Sequence, residues 1–203
     1  MNAAEVLVKC LENEGVEYIF GIPGEENLEV MKALTNSSIK FITVRHEQGA
    51  AFMADVYGRL TGKAGVCLAT LGPGATNLMT GVADANSDGA PLIAITGQVG
   101  TERMHLTSHQ YLDLVEMFEP VTKRNKQILR PDTVNEIVRI AFKYAESMHA
   151  VGYRVTKAEE FPDILREAFS KSVPAIIDCP VDYGENTKLT EYLKDLCEKL
   201  EAE

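Results

Sequence analysis

The sequence lacks three features that would each point to a broad class of protein. No apolar run approaches the roughly 18 residues of a membrane-spanning helix, so we expect no membrane insertion. The acidic, amphipathic start, MNAAEVLVKCLENEG, does not resemble a secretory signal. The basic residues form no cluster, and 20 Lys and Arg against 30 Asp and Glu give a net charge of −10, which argues against nucleic-acid binding.

Paired cysteines and clustered histidines are missing as well. The residues concerned are Cys10, Cys67, Cys179 and Cys197, and His46, His105, His109 and His149. The cysteines show no CxxC spacing, and the histidines have no spacing typical of metal ligands. We therefore expect reduced thiols in a cytoplasmic protein and no metal bound by these side chains.

What the sequence does contain is an alternation of short β-branched runs with segments of helical length. Strands are predicted at 18–22, 41–44, 66–70, 92–96, 121–124 and 175–179. Helices are predicted at about 2–14, 25–35, 47–61, 74–87, 131–148 and 157–171, with a charged amphipathic helix at 188–201. Several strands are apolar throughout, which is typical of strands buried on both faces. The alternation predicts an α/β fold, doubly wound, with helices on both faces of a mostly parallel sheet.

Polar or glycine-rich loops follow the first four predicted strands. They read GIPGEEN, RHEQ, LGPGATN and GQVGTERMHLTSHQ. In a parallel sheet, ligands bind beyond the carboxyl ends of the strands, where these loops meet. Glycine lets the backbone approach a ligand closely, and proline stiffens a turn. A single turn of this kind could equally mark the end of a strand without any ligand. Four such loops at one edge of the sheet predict a binding site.

Two common nucleotide-binding motifs are absent from the sequence. GRLTGK is one residue short of the phosphate-loop spacing, and GPGATN is not the GxGxxG of a dinucleotide site. No serine lies in a nucleophile elbow, and no cysteine lies in a positively charged turn.

Glu47 is a single carboxylate at the point where the second predicted strand is followed by a helix. From the sequence alone it could be a helix-start carboxylate that the helix dipole favours.

Three stretches carry a resemblance to a known family. FGIPGEEN, the run from VRHEQGAAFMADVYGRL to AITGQV, and HQYLDLVEMFEPVTKRN resemble, in order, the N-terminal pyrimidine-binding domain of thiamine-diphosphate enzymes. The acetolactate synthase branch is the part of the family that they resemble, over about residues 1–148. In that family the glutamate of RHE binds N1′ of the cofactor's aminopyrimidine, which implies this role for Glu47. A carboxyl group there favours the tautomer whose 4′-nitrogen can take the C2 proton of the thiazolium.

The resemblance also implies which residues surround the cofactor and the substrate. The implied cofactor-binding positions are Pro23, Gly24, Glu47, Thr70, Pro73, Gly74, Asn77 and Gln110. Gln110 matches a glutamine near the thiazolium and the substrate, so it is implied as catalytic together with Glu47. Phe118 and Lys123 match positions near the substrate pocket. Without the family, Phe118 would be assigned to the core, Lys123 to a solvated strand end and Asn77 to the polar side of a helix.

The other half of the family's site is not found in this sequence. The family's diphosphate-binding domain holds Mg²⁺ with a GDG…N motif, because the charge of the diphosphate needs a divalent partner. No GDG occurs here, and the SDG that begins at Ser87 precedes a strand instead of following one. We therefore expect thiamine diphosphate to meet only its pyrimidine half-site, with the Mg²⁺ ligands of the parent family absent.

The end of the chain resembles a different part of the same enzymes. From Gly152, the stretch GYRVTKAEEFPDILREAFSKSVPAIIDCPVDYGENTKLTEYL is similar to the last segment of the diphosphate-binding domain in catabolic acetolactate synthases. We therefore expect a pyrimidine-binding domain over 1–149 and this C-terminal segment over 150–203, with the family's middle missing through deletion or as a gene remnant. Because the two family domains share an architecture, we hypothesise that strand 175–179 completes one six-stranded sheet.

Three functions remain open at this point. The first is an acetolactate-synthase-like chain that supplies the pyrimidine half-site and forms a homodimer or higher oligomer. Helices 47–61 and 74–87, rich in Ala, Gly and Met, are its candidate interface, although ordinary helix–sheet packing would also explain their composition. The second is the pyrimidine-binding subunit of a two-chain 2-keto acid decarboxylase, with a separate diphosphate-binding subunit. The third is a truncated chain that folds and self-associates without catalysis, and we expect no acetolactate formation from pyruvate by this chain alone.

Overall fold

Strands and helices alternate through the residues that the computed structural model describes, which are 1–105, 107–146, 151–154, 157–170 and 175–178. The strands are β1 Tyr18–Gly21, β2 Lys40–Thr43, β3 Gly65–Ala69, β4 Leu92–Thr96, β5 Val151–Arg154 and β6 Ala175–Asp178. The α-helices are α1 Ala3–Asn13, α2 Leu28–Leu34, α3 Glu47–Thr61, α4 Pro73–Asp88, α5 Leu114–Phe118, α6 Val134–Glu146 and α7 Phe161–Ser170. The chain divides into two compact units, Met1–His149 and Ala150–Glu203.

The first unit is built on a four-stranded parallel sheet in the order β2-β1-β3-β4. Gly21, at the end of β1, pairs with Thr43 on one side and Leu68 on the other, so these three strands end at the same level. The chain runs from β1 to one neighbour and then crosses to the other. The strand order therefore reverses between β1 and β3, which is where doubly wound folds bind their ligands.

Apolar packing on both faces of this sheet explains why β3 is apolar throughout. Val66 and Leu68 point into a cluster with residues of α1, α2 and α6. Cys67 and Ala69 point the other way, into a cluster with residues of α3, α4 and α5. All four are at most 1% exposed, as the two-residue period of a strand requires when both faces are covered. The predicted parallel α/β fold with helices on both faces is confirmed.

Helix α3 has a clear capping residue at each end and a buried side made of small residues. His46 caps its start, because the Nδ1 atom accepts a hydrogen bond from the Gln48 amide at 3.1 Å. Gly62 ends it in the left-handed conformation, with φ of 75°. The small side chains on its inner side, Ala50, Ala51 and Ala54, are fully buried. The alternative of ordinary helix–sheet packing therefore accounts for these alanines, and the helix runs over the predicted residues 47–61.

Strand 121–124 was predicted wrongly. The chain forms a 3-10 turn at Glu119–Val121 instead. The Thr122 hydroxyl donates to the Phe118 carbonyl at 2.7 Å, and the Asn125 amide donates to the Val115 carbonyl at 2.9 Å. These side-chain hydrogen bonds compete with strand pairing and hold the segment as a turn.

The predicted six-stranded sheet is also wrong for the described residues. Strand β6 pairs in parallel with β5, from Val151 opposite Ala175 to Arg154 opposite Asp178, in a separate two-stranded sheet. No strand is predicted from the sequence at 151–154, and this neighbour, joined to β6 through α7, supplies the hydrogen bonds that β6 needs. The tail helix predicted at 188–201 lies outside the described residues. In the described part of the chain, no helix is both long and apolar enough to cross a bilayer.

Candidate functional site

The turns after β1 and β3 interlock at the carboxyl edge of the sheet. Gly24 lies directly against Thr70, and a Cβ atom on Gly24 would collide with the Thr70 methyl group. On the opposite side of Thr70, its hydroxyl group lies against the backbone of Gly74. A Cβ atom on Gly74 would come within 2.5 Å of Thr70 Oγ1. Thr70 is thus enclosed by two glycines that have no room for a side chain. The two turns form one block at the point where the strand order reverses.

Glu47 faces this block from the start of α3. Its Oε2 atom accepts a hydrogen bond from Nδ2 of Asn77, one turn into α4, at 3.0 Å, and both side chains are half-buried. The other oxygen, Oε1, would lie 3.5 Å from a Cβ on Gly74. The missing side chain of Gly74 therefore leaves space beside this oxygen. Among the described residues only Asn77 donates to the carboxylate, which leaves Oε1 able to bind a ligand donor.

A buried asparagine that is not among the predicted site residues locks the turn that carries Pro23. Asn27 is 2% exposed. Its Oδ1 accepts from the Gly24 amide at 2.9 Å, and its Nδ2 donates to the Ile22 carbonyl at 3.2 Å. The side chain thereby bridges the backbone on both sides of Pro23. The available signal was the spacing GEEN, in which an asparagine follows three residues after a turn glycine.

Gln110 approaches the same edge from the loop after β4. It has φ of 55°, and it is the sole non-glycine residue with positive φ among the described residues. Its backbone lies against Gly72, where an added Cβ would come within 2.6 Å of the Gln110 carbonyl oxygen. Gln110 itself is exposed. The structure therefore places the predicted glutamine beside the turn that opens α4.

The remaining predicted residues differ in their surroundings. Pro23 and Pro73 are exposed at the two turns, and Pro73 occupies the first position of α4, where proline is favoured. Phe118 is 6% exposed and belongs to the apolar cluster of α3, α4 and α5. This is the core position that the sequence would predict for Phe118 without the family resemblance. Lys123 is exposed just beyond the turn Glu119–Val121. Glu47, Gly24, Thr70, Gly74 and Asn77 are thus brought into contact, whereas Phe118 is packed into the core.

Neither metal-ligand clusters nor reactive thiols occur at this edge in the described residues. No group of three or more His, Cys, Asp or Glu side chains is arranged there to hold a metal ion. Cys10 and Cys67 are unpaired and buried. Burial raises the pKa of the Cys67 thiol to about 12, so this residue stays protonated at neutral pH and is a poor nucleophile.

Comparison with known proteins gives a consistent family match. Residues 1–117 match the model of the thiamine pyrophosphate enzyme N-terminal TPP-binding domain. A probable acetolactate synthase large subunit of Methanocaldococcus jannaschii is 41% identical over 89% of the chain and 30% of the relative. The catabolic acetolactate synthase of Raoultella terrigena is 48% identical over 71% of the chain and 26% of the relative. The chloroplastic acetolactate synthase of Arabidopsis thaliana is 44% identical, with 71% and 22% covered. The chain therefore spans less than a third of the length of these relatives.

Proposed function

The chain belongs to the acetolactate synthase branch of the thiamine pyrophosphate enzymes, and on that premise we propose that residues 1–149 supply the pyrimidine half of a thiamine diphosphate site. The observation that carries the proposal is the Glu47 carboxylate, which is fixed at Oε2 by Asn77 while Oε1 faces the space beside Gly74. A carboxyl group held in this way can share a proton with one ring nitrogen. The glycines of the interlocked turns support the fit, because side chains there would fill the cradle.

Each residue at this edge has a distinct part in the proposed half-site. Glu47 forms the hydrogen bond at N1′ of the aminopyrimidine, and Asn77 keeps the carboxylate from rotating. Asn27 holds the turn of Pro23 and Gly24 against Thr70, which gives the ring a fixed wall. Gln110, which is exposed, would supply its amide to the thiazolium half of the cofactor. When bound, thiamine diphosphate itself supplies the electron sink for decarboxylation of a 2-keto acid.

The parent reaction that we propose is decarboxylation of pyruvate and its condensation with a second pyruvate to give 2-acetolactate. Phe118 and Lys123 are the proposed residues near the substrate, with buried Phe118 acting through packing. The described residues do not fit Mg²⁺, since they hold no cluster of metal-ligating side chains, and the sequence contains no GDG motif. The diphosphate and its metal must therefore be bound by residues outside this half-site.

We further propose that the assembled protein is a homodimer through α3. Its outer side carries an apolar stripe of three residues spaced by three and four positions: Met53, Val56 and Leu60, which are 42%, 49% and 81% exposed. Since the alanines of α3 are used in the core, this stripe is the part of the helix available to a second copy.

The half-site is tested by titrating the chain with thiamine diphosphate and Mg²⁺ in a calorimeter, using Glu47→Gln as the variant. Glutamine keeps the size of the side chain but cannot ionise or share a proton with the ring nitrogen. We expect binding to weaken about tenfold or more, because a hydrogen bond to a charged group is worth about 1.5–3 kcal/mol.

Glu29→Gln is the matched control for this experiment. Glu29 also lies in the first turn of a helix, and its carboxylate also accepts from an asparagine, Asn2, at 3.4 Å. The two substitutions therefore remove the same helix-start charge, but Glu29 contacts Asn2, which lies outside the interlocked turns. An affinity that is equal in Glu47→Gln and Glu29→Gln, or a wild-type chain that binds no thiamine diphosphate, would rule out the proposed half-site.

A further inference from the structure

The contact between Gly72 and Gln110 joins two residues that both have a positive φ angle. Gly72 has φ of 54° and lies at the cap of α4, while Gln110 has φ of 55°. A Cβ at position 72 would come within 2.6 Å of the Gln110 carbonyl oxygen and within 2.8 Å of its Cβ. Both of these atoms are fixed to the backbone of residue 110. A side chain at position 72 could therefore be accommodated only by moving the loop.

The loop that carries Gln110 is held from its other end as well. The Gln98 side chain donates from Nε2 to the Leu112 carbonyl at 2.9 Å, while its Oε1 accepts from the Val99 amide at 3.0 Å. Within the loop, the Tyr111 amide donates to the Ser108 carbonyl at 3.2 Å. The loop therefore lies between an anchor after β4 and the bare backbone of Gly72. A residue in a disfavoured conformation persists only where its surroundings impose it.

We propose that Gly72 is a positioning residue that sets where Gln110 lies at the thiamine diphosphate half-site. Its lack of a side chain lets the Gln110 backbone lie against the first turn of α4, next to Pro73 and Gly74. This inference rests on the proposed function for its ligand, but the placement of residue 110 can be measured without any ligand. Gly72 touches no reacting group itself and acts through Gln110.

The first test compares Gly72→Ala with Gly15→Ala by amide hydrogen exchange of the full chain. Gly15 also has positive φ, 78°, but no atom within 4 Å of an added Cβ. Both substitutions therefore strain the backbone, and only Gly72→Ala also clashes with Gln110. We expect residues 107–112 to exchange about tenfold faster in Gly72→Ala alone, with β3 unchanged in both variants. Equal exchange of residues 107–112 in Gly72→Ala and wild type would overturn the proposal.

The second test is a double-substitution cycle with Gln110→Ala, measured as thiamine diphosphate affinity in the presence of Mg²⁺. If Gly72 acts through Gln110, each single substitution weakens binding about fivefold, the value of one ordinary hydrogen bond, and the double variant is no weaker than either. Fully additive losses would overturn the proposal. A wild-type chain that binds no thiamine diphosphate overturns the proposed half-site instead, and the exchange comparison still decides whether Gly72 positions residue 110.

A second variant covers the case in which Gly72→Ala does not fold. Gly72→Ala combined with Gln110→Gly removes the Cβ of residue 110 and lets its backbone move away at little cost. Recovery of the folded state, judged by protection of β3 amides, would show that the clash with residue 110 caused the failure. If the double variant also fails to fold, Gly72 is needed for its own turn alone and the proposal is wrong.

Discussion

At the scale of single residues, the site depends on side chains whose partners come from distant parts of the sequence. Asn77 fixes Glu47 across 30 positions, and Thr70 fits between the glycines of two different turns. The family resemblance singled out Glu47, Asn77 and the two turns, and the structure brings these residues into contact. The resemblance could not predict the Gly72–Gln110 contact, because that contact depends on where two loops meet in space. Asn27 differs, because the spacing GEEN gave a local signal for its contact with Gly24, although an asparagine after a glycine commonly serves only as a local cap.

Cys67 gives a prediction at this scale because it lies in the middle of β3 with no exposed surface. Burial raises the pKa of its thiol from the ordinary 9.0 to about 12. Between these pH values the unfolded chain loses a proton that the folded chain keeps, so stability is complete below pH 9.0 and falls as pH rises. We expect Cys67→Ala to flatten this alkaline loss in urea unfolding measured from neutral to alkaline pH. Parallel curves for the variant and the wild type would contradict the assignment.

At the scale of elements, α3 and α4 are joined by one arginine and three carboxylates. Arg59 Nε contacts Asp55 at 2.9 Å, and its terminal nitrogens contact Asp84 at 3.3 Å and Asp88 at 2.6 Å. The hydrogen bonds to Asp55 and Asp88 raise the pKa of the guanidinium, so it stays charged. Asp55 is 2% exposed, whereas Asp84 and Asp88 are about half-exposed. The buried member therefore depends on Arg59 much more than the other two.

Removing Arg59 should consequently cost more than removing one of its exposed partners. We expect Arg59→Met to lower the free energy of unfolding by more than Asp88→Asn does, because it leaves the Asp55 carboxylate buried without its cation. Asp88→Asn, the comparison variant, should cost less than about 1 kcal/mol, as for other solvent-exposed ion pairs. Urea unfolding at neutral pH measures both. Equal losses in the two variants would show that Asp55 does not depend on Arg59.

The elements also show where sequence patterns are reliable. The helix over 47–61 was predicted to the residue, since it has a cap at His46, a terminating Gly62 and a long periodic pattern between them. The strand at 121–124 was wrong because side-chain hydrogen bonds outweighed its β-branched residues. Strand β5 was missed because four residues without flanking turn signals carry little periodic information. Whether β6 would join a larger sheet depended on that missed strand.

At the scale of the whole molecule, the exposed stripe on α3 predicts self-association. A carboxylate at the centre of an apolar interface would be desolvated without a partner, so we expect Val56→Glu to raise the dissociation constant of the dimer at least about tenfold. Sedimentation equilibrium of the full chain measures this constant. Leu28→Glu is the control, because Leu28 is also apolar and 60% exposed but lies on α2. A similar change in both variants, or a monomeric wild type, would exclude the α3 stripe as the interface.

The glycines of the interlocked turns have a further consequence at the level of the gene. Any single-base change in the first two positions of a glycine codon that does not stop translation introduces a residue with a Cβ atom. At positions 24, 72 and 74 that atom would collide with Thr70 or Gln110. No single-base change at these codons therefore gives a substitution that fits the present structure. A substitution at one of these glycines has to be preceded by a change in the residues that surround it.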